Sequence, residues 1–332
     1  MVFRVSPRHH EGEQATCSVA VVIPAYRVTR HILGVIDGIP DWVDRIYVVD
    51  DHCPDGSGRL VEKDCADSRV VVIFNQKNLG VGGAVMAGYV CAERDGCDIV
   101  VKMDGDGQME PALMPALVWP IASGEADYTK GNRFYDLAQI GRMPAIRIFG
   151  NAVLSFMTKI SSGYWDLFDP TNGYTAIHTR VVPKLPMHKI SHRYFFETDI
   201  LFRLNTLRAV VVDVPMDARY GDEVSGLSVR RIVLDFMYKH LRNTAKRIFY
   251  SYFLRDMSLA SIELVGGILM ISLGLLAGIH FWSGAAAEGV AASAGRVMLA
   301  ALPVILGLQL LLGFIAFDIA SVPKRAIHRL LR

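Results

Sequence analysis

The chain has 332 residues, 52% of them hydrophobic, with a formal net charge of +2 and a mean hydropathy of +0.29. The length allows one large domain or two ordinary ones, and the hydropathy is high for a wholly soluble protein. The near-neutral charge makes nucleic acid an unnecessary partner. The five cysteines are odd in number, lack C-x-x-C spacing and read as free thiols of a reducing compartment, which argues against a disulfide scaffold.

Residues 1–17 carry Arg4, Arg8, Glu11 and Glu13 but no apolar core before Ser18. No signal peptide is expected there, and the segment reads as a flexible lead. Ser18–Tyr26 is then a buried strand ending at a Pro-marked loop, Arg45–Asp51 a second, Arg69–Asn75 a third and Asp98–Met103 a fourth. Helix-length segments separate them at about Thr29–Ile39, Ser57–Ala66 and Val81–Arg94. Near-continuous apolar strands alternating with helices predict a mostly parallel sheet covered on both faces. Ligands bind such sheets beyond the carboxyl ends of the strands, and three of these four end in suitable polar residues: Asp50-Asp51, Asn75, and Asp104 with Asp106.

Two glycine-bearing stretches mark that edge. Asn78-Leu79-Gly80-Val81-Gly82-Gly83-Ala84 leads into the third helix, where free N–H groups suit an anion such as a diphosphate. Close helix packing on the sheet explains the glycines equally well, and no Walker-type Gly-Lys-Ser/Thr follows. The run Ile99–Gln108 is a buried strand that ends in two carboxylates, Asp104 and Asp106, separated by one glycine. Residues two apart on a strand project to one side, so the pair can offer hard oxygen ligands to Mg²⁺ or Mn²⁺. The alternative is an Asp-Gly turn capped by its own side chains.

Further along, Tyr128–Phe134 reads as a strand with Lys130 and Arg133 as cations near the same edge. Ile146–Ile160 has helical spacing and includes Arg147, and Asp169–Thr175 is a turn entering a strand. Tyr194–Leu201 opens a helix with Glu197 and Asp199 in its first turns, where carboxylates also suit the helix dipole. Val210–Val214 is a strand, and the loop Arg219–Ser225 follows it. Residues 229–258 mix cations with apolar side chains, and Arg230–Asp256 is expected as one or two amphipathic helices at a membrane surface. Packing against the preceding domain is the competing account.

Leu264–Trp282 and Val297–Phe317 contain no Asp, Glu, Lys or Arg and are apolar on all faces. Each approaches the ~20 residues a bilayer-crossing helix needs. The segment Ser283–Arg296 between them is Ala/Gly-rich, and Lys/Arg residues flank the outer ends of both runs. Two spans over 259–320 are therefore expected, with both termini and the large domain in the cytoplasm and 321–332 as a basic tail. The cations would lie beside anionic membrane lipid, and the hairpin leaves apolar surface for lipid or a second copy to cover.

The stretches V-V-I-P-A-Y, V-V-D-D, N-L-G-V-G-G-A, K-M-D-G-D-G-Q, K-G-N-R, D-P-T-N-G-Y and R-Y-G-D-E-V-S follow one another in this order. In this they resemble family 2 glycosyltransferases of the GT-A fold, and the two spans resemble the dolichol-phosphate mannose synthase-like group. The resemblance covers about residues 18–317 and implies a Rossmann-like GT-A domain over 18–228. It implies that Pro24, Ala25, Tyr26 and Asp51 line the nucleotide, with Gly80 nearby, and that Asp104, Asp106 and Gln108 form the metal and diphosphate site. Asp169 with Asn172-Gly173 resembles the segment near the sugar. Arg133 and Arg147 resemble cations that hold an acceptor phosphate, and Arg219 with Ser225 a loop that closes over the donor. Arg27 and Val28 depart from the usual Asn-Glu, and Gly226 replaces a usual lysine. Glu197 and Asp199 both approximate the helix-borne acid of the family.

The implied reaction is inverting transfer of one sugar from a nucleotide-diphosphate sugar (UDP-hexose or GDP-mannose) to polyprenyl phosphate, with Mg²⁺ or Mn²⁺. A phosphate monoester is largely ionised at pH 7 and needs no base, so the demand shifts to cations, here Lys130, Arg133 and Arg147. Asp169 would then orient or stabilise. Transfer to a hydroxyl of a lipid-linked saccharide, with Glu197 or Asp199 as base, is the alternative. A non-catalytic nucleotide-sugar-binding membrane protein is the third reading.

Overall fold

The computed structural model describes residues 17–135, 145–216 and 229–331. A seven-stranded sheet, ordered β3-β2-β1-β4-β6-β5-β7, forms the frame. Its strands are β1 (Val19–Ala25), β2 (Arg45–Asp50), β3 (Val70–Phe74), β4 (Ile99–Lys102), β5 (Tyr128–Asn132), β6 (Thr175–His178) and β7 (Val211–Pro215). Only β6 runs against its two neighbours, β4 and β5, so the expected mostly parallel sheet is present. The central strands are apolar on successive residues because both faces are covered. Ala20, Val22, Tyr47 and Val100 pack into one core layer, while Val21, Ile23, Ile46 and Val101 pack into the other.

Helices α1 (Ile32–Asp37), α2 (Ser57–Asp64), α3 (Val81–Arg94) and α4 (Met114–Ala122) alternate with the first five strands. The layer holding β1 and β4 side chains Val21 and Val101 also takes Ile32 and Ile36 of α1 and Leu117 of α4. Opposite it, Ala84, Val85 and Tyr89 of α3 pack with Ile200 and Leu204 of α6 (Phe196–Thr206). Between β5 and β6 lies α5 (Ala145–Ser162).

The amphipathic segment is one helix, α7 (Val229–Phe249), followed by a π-helical turn at Tyr250–Arg255. One face packs against the domain, as the competing account expects, and the opposite face is exposed. Inward, Asn243 donates to Asp199 of α6 at 2.8 Å, His240 Nδ1 lies 2.8 Å from Ser161 Oγ, and Arg247 Nε donates to the Ile160 carbonyl. Outward, Leu234, Tyr238, Leu241 and Phe249 form an exposed stripe at helical spacing.

The apolar runs form α8 (Leu259–Glu288) and α9 (Ala294–Ala320), both long and apolar enough to cross a membrane. The joint is shorter than the expected Ser283–Arg296 segment. Alanine favours helix, so α8 continues to a left-handed Gly289, and Ser293 caps α9. The two backbones nearly touch: a Cβ on Gly267 would lie 2.9 Å from the Gly307 carbonyl, and one on Gly307 2.8 Å from that of Gly267.

The end of the chain corrects the expectation of a basic tail. Residues 321–331 fold back onto the domain, with Ala326 buried among the β-sheet core residues. The buried Asp127 carboxylate accepts the N–H groups of Ile327 (2.9 Å) and His328 (2.8 Å) and meets His328 Nδ1 at 2.7 Å. The His328 ring stacks on His178 at 4.2 Å between centroids. Lys324, Arg325 and Arg329 stay exposed, so the charges hide a segment that is otherwise part of the core's edge.

This strap gives a pH prediction. Burial, reinforced by the neighbouring His328, depresses the His178 imidazole from 6.5 to about 4. Between those values the unfolded chain binds the proton and the folded chain does not, so stability is lost as pH falls from 6.5 toward 4. The loss reaches about 3 kcal/mol at the acid end. Denaturant titrations from pH 7 to 4.5 are expected to show it, and His178→Gln to flatten the slope.

Candidate active site

The strand order reverses between β1 and β4, and beyond their carboxyl ends a cavity of about 470 Å³ opens. Pro24, Ala25 and Tyr26 leave β1 into its wall, Asp51 follows β2, Gly80 precedes α3, and Asp104 and Asp106 come from the loop after β4. These seven sequence-predicted residues share one site. Val28, one of the two departures from the family pattern, also lines it.

Asp51 acts through the loop it holds. Its carboxylate accepts Asn75 Nδ2 at 2.8 Å and the N–H groups of Leu79 (2.9 Å) and Gly80 (2.7 Å). The Gly82 N–H goes to the His192 carbonyl at 2.8 Å. The glycine loop therefore spends the N–H groups of Leu79, Gly80 and Gly82 within the protein, which leaves those three unavailable to an anion. Gly80 is needed for shape: its φ is +83°, and a Cβ there would lie 2.6 Å from the His192 carbonyl oxygen. This close approach brings Arg193 and Tyr194 over the cavity. Sequence reasoning missed both as wall residues. The available signal was a cation directly before the acidic first turn of α6.

Around Asp104 the charges are tightly coupled. Lys102 is almost fully buried, with Nζ 2.8 Å from Asp104 Oδ1 and 3.5 Å from Glu197 Oε1. Burial disfavours the ammonium, but the two carboxylates outweigh it and hold its pKa above the ordinary lysine value. Burial also raises the Glu197 carboxyl against the opposing pull of Lys102. Asp199 is elsewhere, accepting Ser191 N–H and Asn243 Nδ2, both at 2.8 Å. Of the two carboxylates, Glu197 is the one that reaches the acidic loop, through Lys102, and Asp199 ties α6 to its neighbours. The turn carrying Asn172-Gly173 lies against the same loop, since a Cβ on Gly173 would collide with Lys102 Nζ and come 3.0 Å from Asp104 Oδ2.

Asp106 Oδ1 accepts the Gln108 backbone N–H at 3.0 Å, an Asx turn, so turn and site readings of the loop coexist. Gln108, expected as a metal ligand, is not among the residues that line the cavity, and it meets the acidic loop through this N–H. Among the described residues no group of three or more His, Cys, Asp or Glu could hold a metal. Two carboxylates lining an open cavity still fit Mg²⁺ or Mn²⁺ when water and substrate phosphate supply the other oxygens.

The remaining cations differ from expectation. Arg133 and Asp169 lie outside the cavity and bind each other in two-pronged fashion, Nε to Oδ2 and Nη2 to Oδ1, each 2.8 Å. Burial raises the Asp169 carboxyl, but Arg133 outweighs it and leaves the pKa below the usual range, so Asp169 is a fixed anion. Lys130 is buried, pairs with Asp213 at 2.7 Å and donates to the Phe168 carbonyl. It serves the packing between β5 and β7 and is not available to an acceptor phosphate. Arg219, Ser225 and the side chain of Arg147 lie outside the described residues.

A mostly parallel sheet with its crevice at the β1/β4 switch and a D-G-D loop on its rim defines a Rossmann-like GT-A domain. Residues 20–185 match Glycosyl transferase family 2, and the chain belongs to that family of glycosyltransferases. It is 26% identical over 218 residues to a UDP-N-acetylglucosamine–dolichyl-phosphate N-acetylglucosaminyltransferase of Methanococcus voltae, covering 61% of this chain and 86% of that protein. It is 30% identical over 204 residues to an undecaprenyl-phosphate mannosyltransferase of Micrococcus luteus, covering 60% and 82%. In fold it is similar to glucosyl-3-phosphoglycerate synthase from Mycobacterium tuberculosis in complex with UDP. The TM-score is 0.50 at 20% identity, over 71% of this chain and 86% of that one.

Proposed function

We propose that the protein transfers a single sugar, with inversion, from a nucleotide-diphosphate sugar to polyprenyl phosphate at the cytoplasmic face of a membrane. The observation that carries this reading is a nucleotide-sized cavity ending on Asp104 and Asp106, in a domain fastened to both ends of a membrane-length hairpin. That fastening supports a single side for the domain and both hairpin ends. The names of the two relatives above, each acting on a polyprenyl-type phosphate, support the acceptor class.

The half-exposed Tyr26 ring offers an aromatic face to the base, and Asp51 fixes the loop beside it. Arg193 adds a cation to the wall where a diphosphate would lie. Asp104 and Asp106 would hold Mg²⁺ or Mn²⁺, which when bound neutralises charge on the departing diphosphate. Lys102 would stay paired to Glu197 and keep Asp104 aimed from below. An ionised phosphate acceptor attacks without a base. Transfer to a hydroxyl is the second reading, favoured by Glu197, a carboxylate beside the acidic loop whose pKa burial raises.

The test offers the purified full chain UDP-glucose, UDP-galactose, UDP-N-acetylglucosamine or GDP-mannose, each with undecaprenyl phosphate or a lipid-linked saccharide, and with Mg²⁺ or Mn²⁺. Labelled lipid product is expected with one donor and the phosphate acceptor, and is lost on chelation. Product from the saccharide alone would transfer the argument to Glu197. No transfer from any donor, with tight nucleotide binding, would overturn the enzymatic reading.

A further inference from the structure

Two adjoining cavities open where the domain meets the membrane ends of the hairpin, both lined by Arg208 and Ser321. They belong to a different place from the active site. Glu197 opens α6 beside the acidic loop, and Arg208 lies two residues past its last turn, Thr206. The helix has 11 residues, which separates the two sites by roughly 15 Å.

In the inner cavity, about 220 Å³, two of the three arginines are paired: Arg247 with Asp318 at 2.6 Å, and Arg255 with Asp256 at 2.8 Å. The outer one, about 380 Å³, is lined by Arg208, Lys324 and Arg325 and by no carboxylate. Among the described residues none of these three cations has an Asp or Glu within ion-pair distance. Arg208 is also held at a cost. It stands just after α6 with φ +62°, the left-handed position where glycine is the relaxed choice. An exposed, strained arginine that could be glycine points to a use for its side chain.

Depth names the ligand. Ser321 follows the last residue of α9, and Ser258 of the inner cavity caps α8, so on the membrane placement proposed above both cavities would sit where phospholipid headgroups begin. We infer that the outer cavity binds the phosphodiester headgroup of an anionic glycerophospholipid, seating the domain on its membrane. This rests on the membrane placement proposed above and is independent of the sugar transferred.

The test titrates the detergent-solubilised full chain with short-chain phosphatidylglycerol, short-chain phosphatidylcholine or inorganic phosphate, following the melting temperature and lipid retention by native mass spectrometry. Phosphatidylglycerol alone is expected to give a saturable stabilisation. The Arg208→Gln/Lys324→Gln/Arg325→Gln variant should bind it roughly a hundredfold more weakly. Arg208→Gly should also weaken binding, while melting no lower than the unsubstituted chain without lipid, because glycine relaxes the left-handed turn. Equal affinity in the triple variant, or equal stabilisation by inorganic phosphate, would overturn the inference. A chain that stays monodisperse without detergent would overturn the membrane placement itself, a result read independently of the lipid titration.

Discussion

Asp104→Asn is expected to lower the transfer rate about a thousandfold while the domain still folds. The two parts of that expectation come from the same triad. Asp104 is the carboxylate that both faces the cavity and pairs with Lys102, so under the proposed function its charge acts on the departing diphosphate through the divalent cation it would hold. The buried Lys102 is not orphaned by the change, because Glu197 remains 3.5 Å away. Asp106→Asn should behave similarly, since an asparagine oxygen can still accept the Gln108 N–H that closes the turn. Transfer assays on both variants, with melting curves to verify folding, provide the check. Unsubstituted turnover in either would remove these carboxylates from the diphosphate site.

Asp318→Ala is expected to cost about 3–5 kcal/mol, the largest single loss of stability predicted for this chain. Asp318 accepts Arg247 Nη1 and the Tyr252 hydroxyl at 2.6 Å on one oxygen, and Arg247 Nη2 and Trp165 Nε1 at 2.9 Å on the other. Its removal leaves the Arg247 guanidinium, 4% exposed, without a counter-charge. Four elements would lose their common anchor: α9, α7, the π-helical turn and the loop after α5. Loosening is expected in the fluorescence of Trp165 and in faster proteolysis between domain and hairpin. The pair variant Arg247→Met with Asp318→Leu should recover much of the loss, because it removes both charges together. Equal stability of Asp318→Ala and the unsubstituted chain would show that the cluster is not an anchor.

Much of the fold was legible because burial on both sides of a parallel sheet leaves an unbroken apolar signature, as in Val19–Ala25 and Ile99–Val101. The acidic loop was legible because carboxylates and glycine cannot continue such a run. Charge partners were not. Lys130, Arg133 and Asp169 each looked available for ligand, yet their partners Asp213 and one another come from distant strands and turns that spacing does not bring together. Lys102 was read as an ordinary member of its strand, and its burial between Asp104 and Glu197 depends on α6 docking at that edge. The choice between Glu197 and Asp199 likewise needed the third dimension, since residues two apart on a helix face different neighbours. The strap escaped notice because Lys324, Arg325 and Arg329 mask the few apolar residues that dock.

That strap also sets an order of events in biogenesis. Asp127, at the entrance to β5, accepts Val210 N–H at 2.8 Å from within the domain, but its other partners, Ile327 and His328, lie 200 and 201 positions further along. A ribosome has made nearly the whole chain, both spans included, before those partners emerge. The globular portion therefore cannot reach its final packing until both apolar helices have been synthesised. Under the proposed membrane placement, maturation of the sugar-handling half would wait on insertion, and a finished enzyme would not accumulate away from the bilayer.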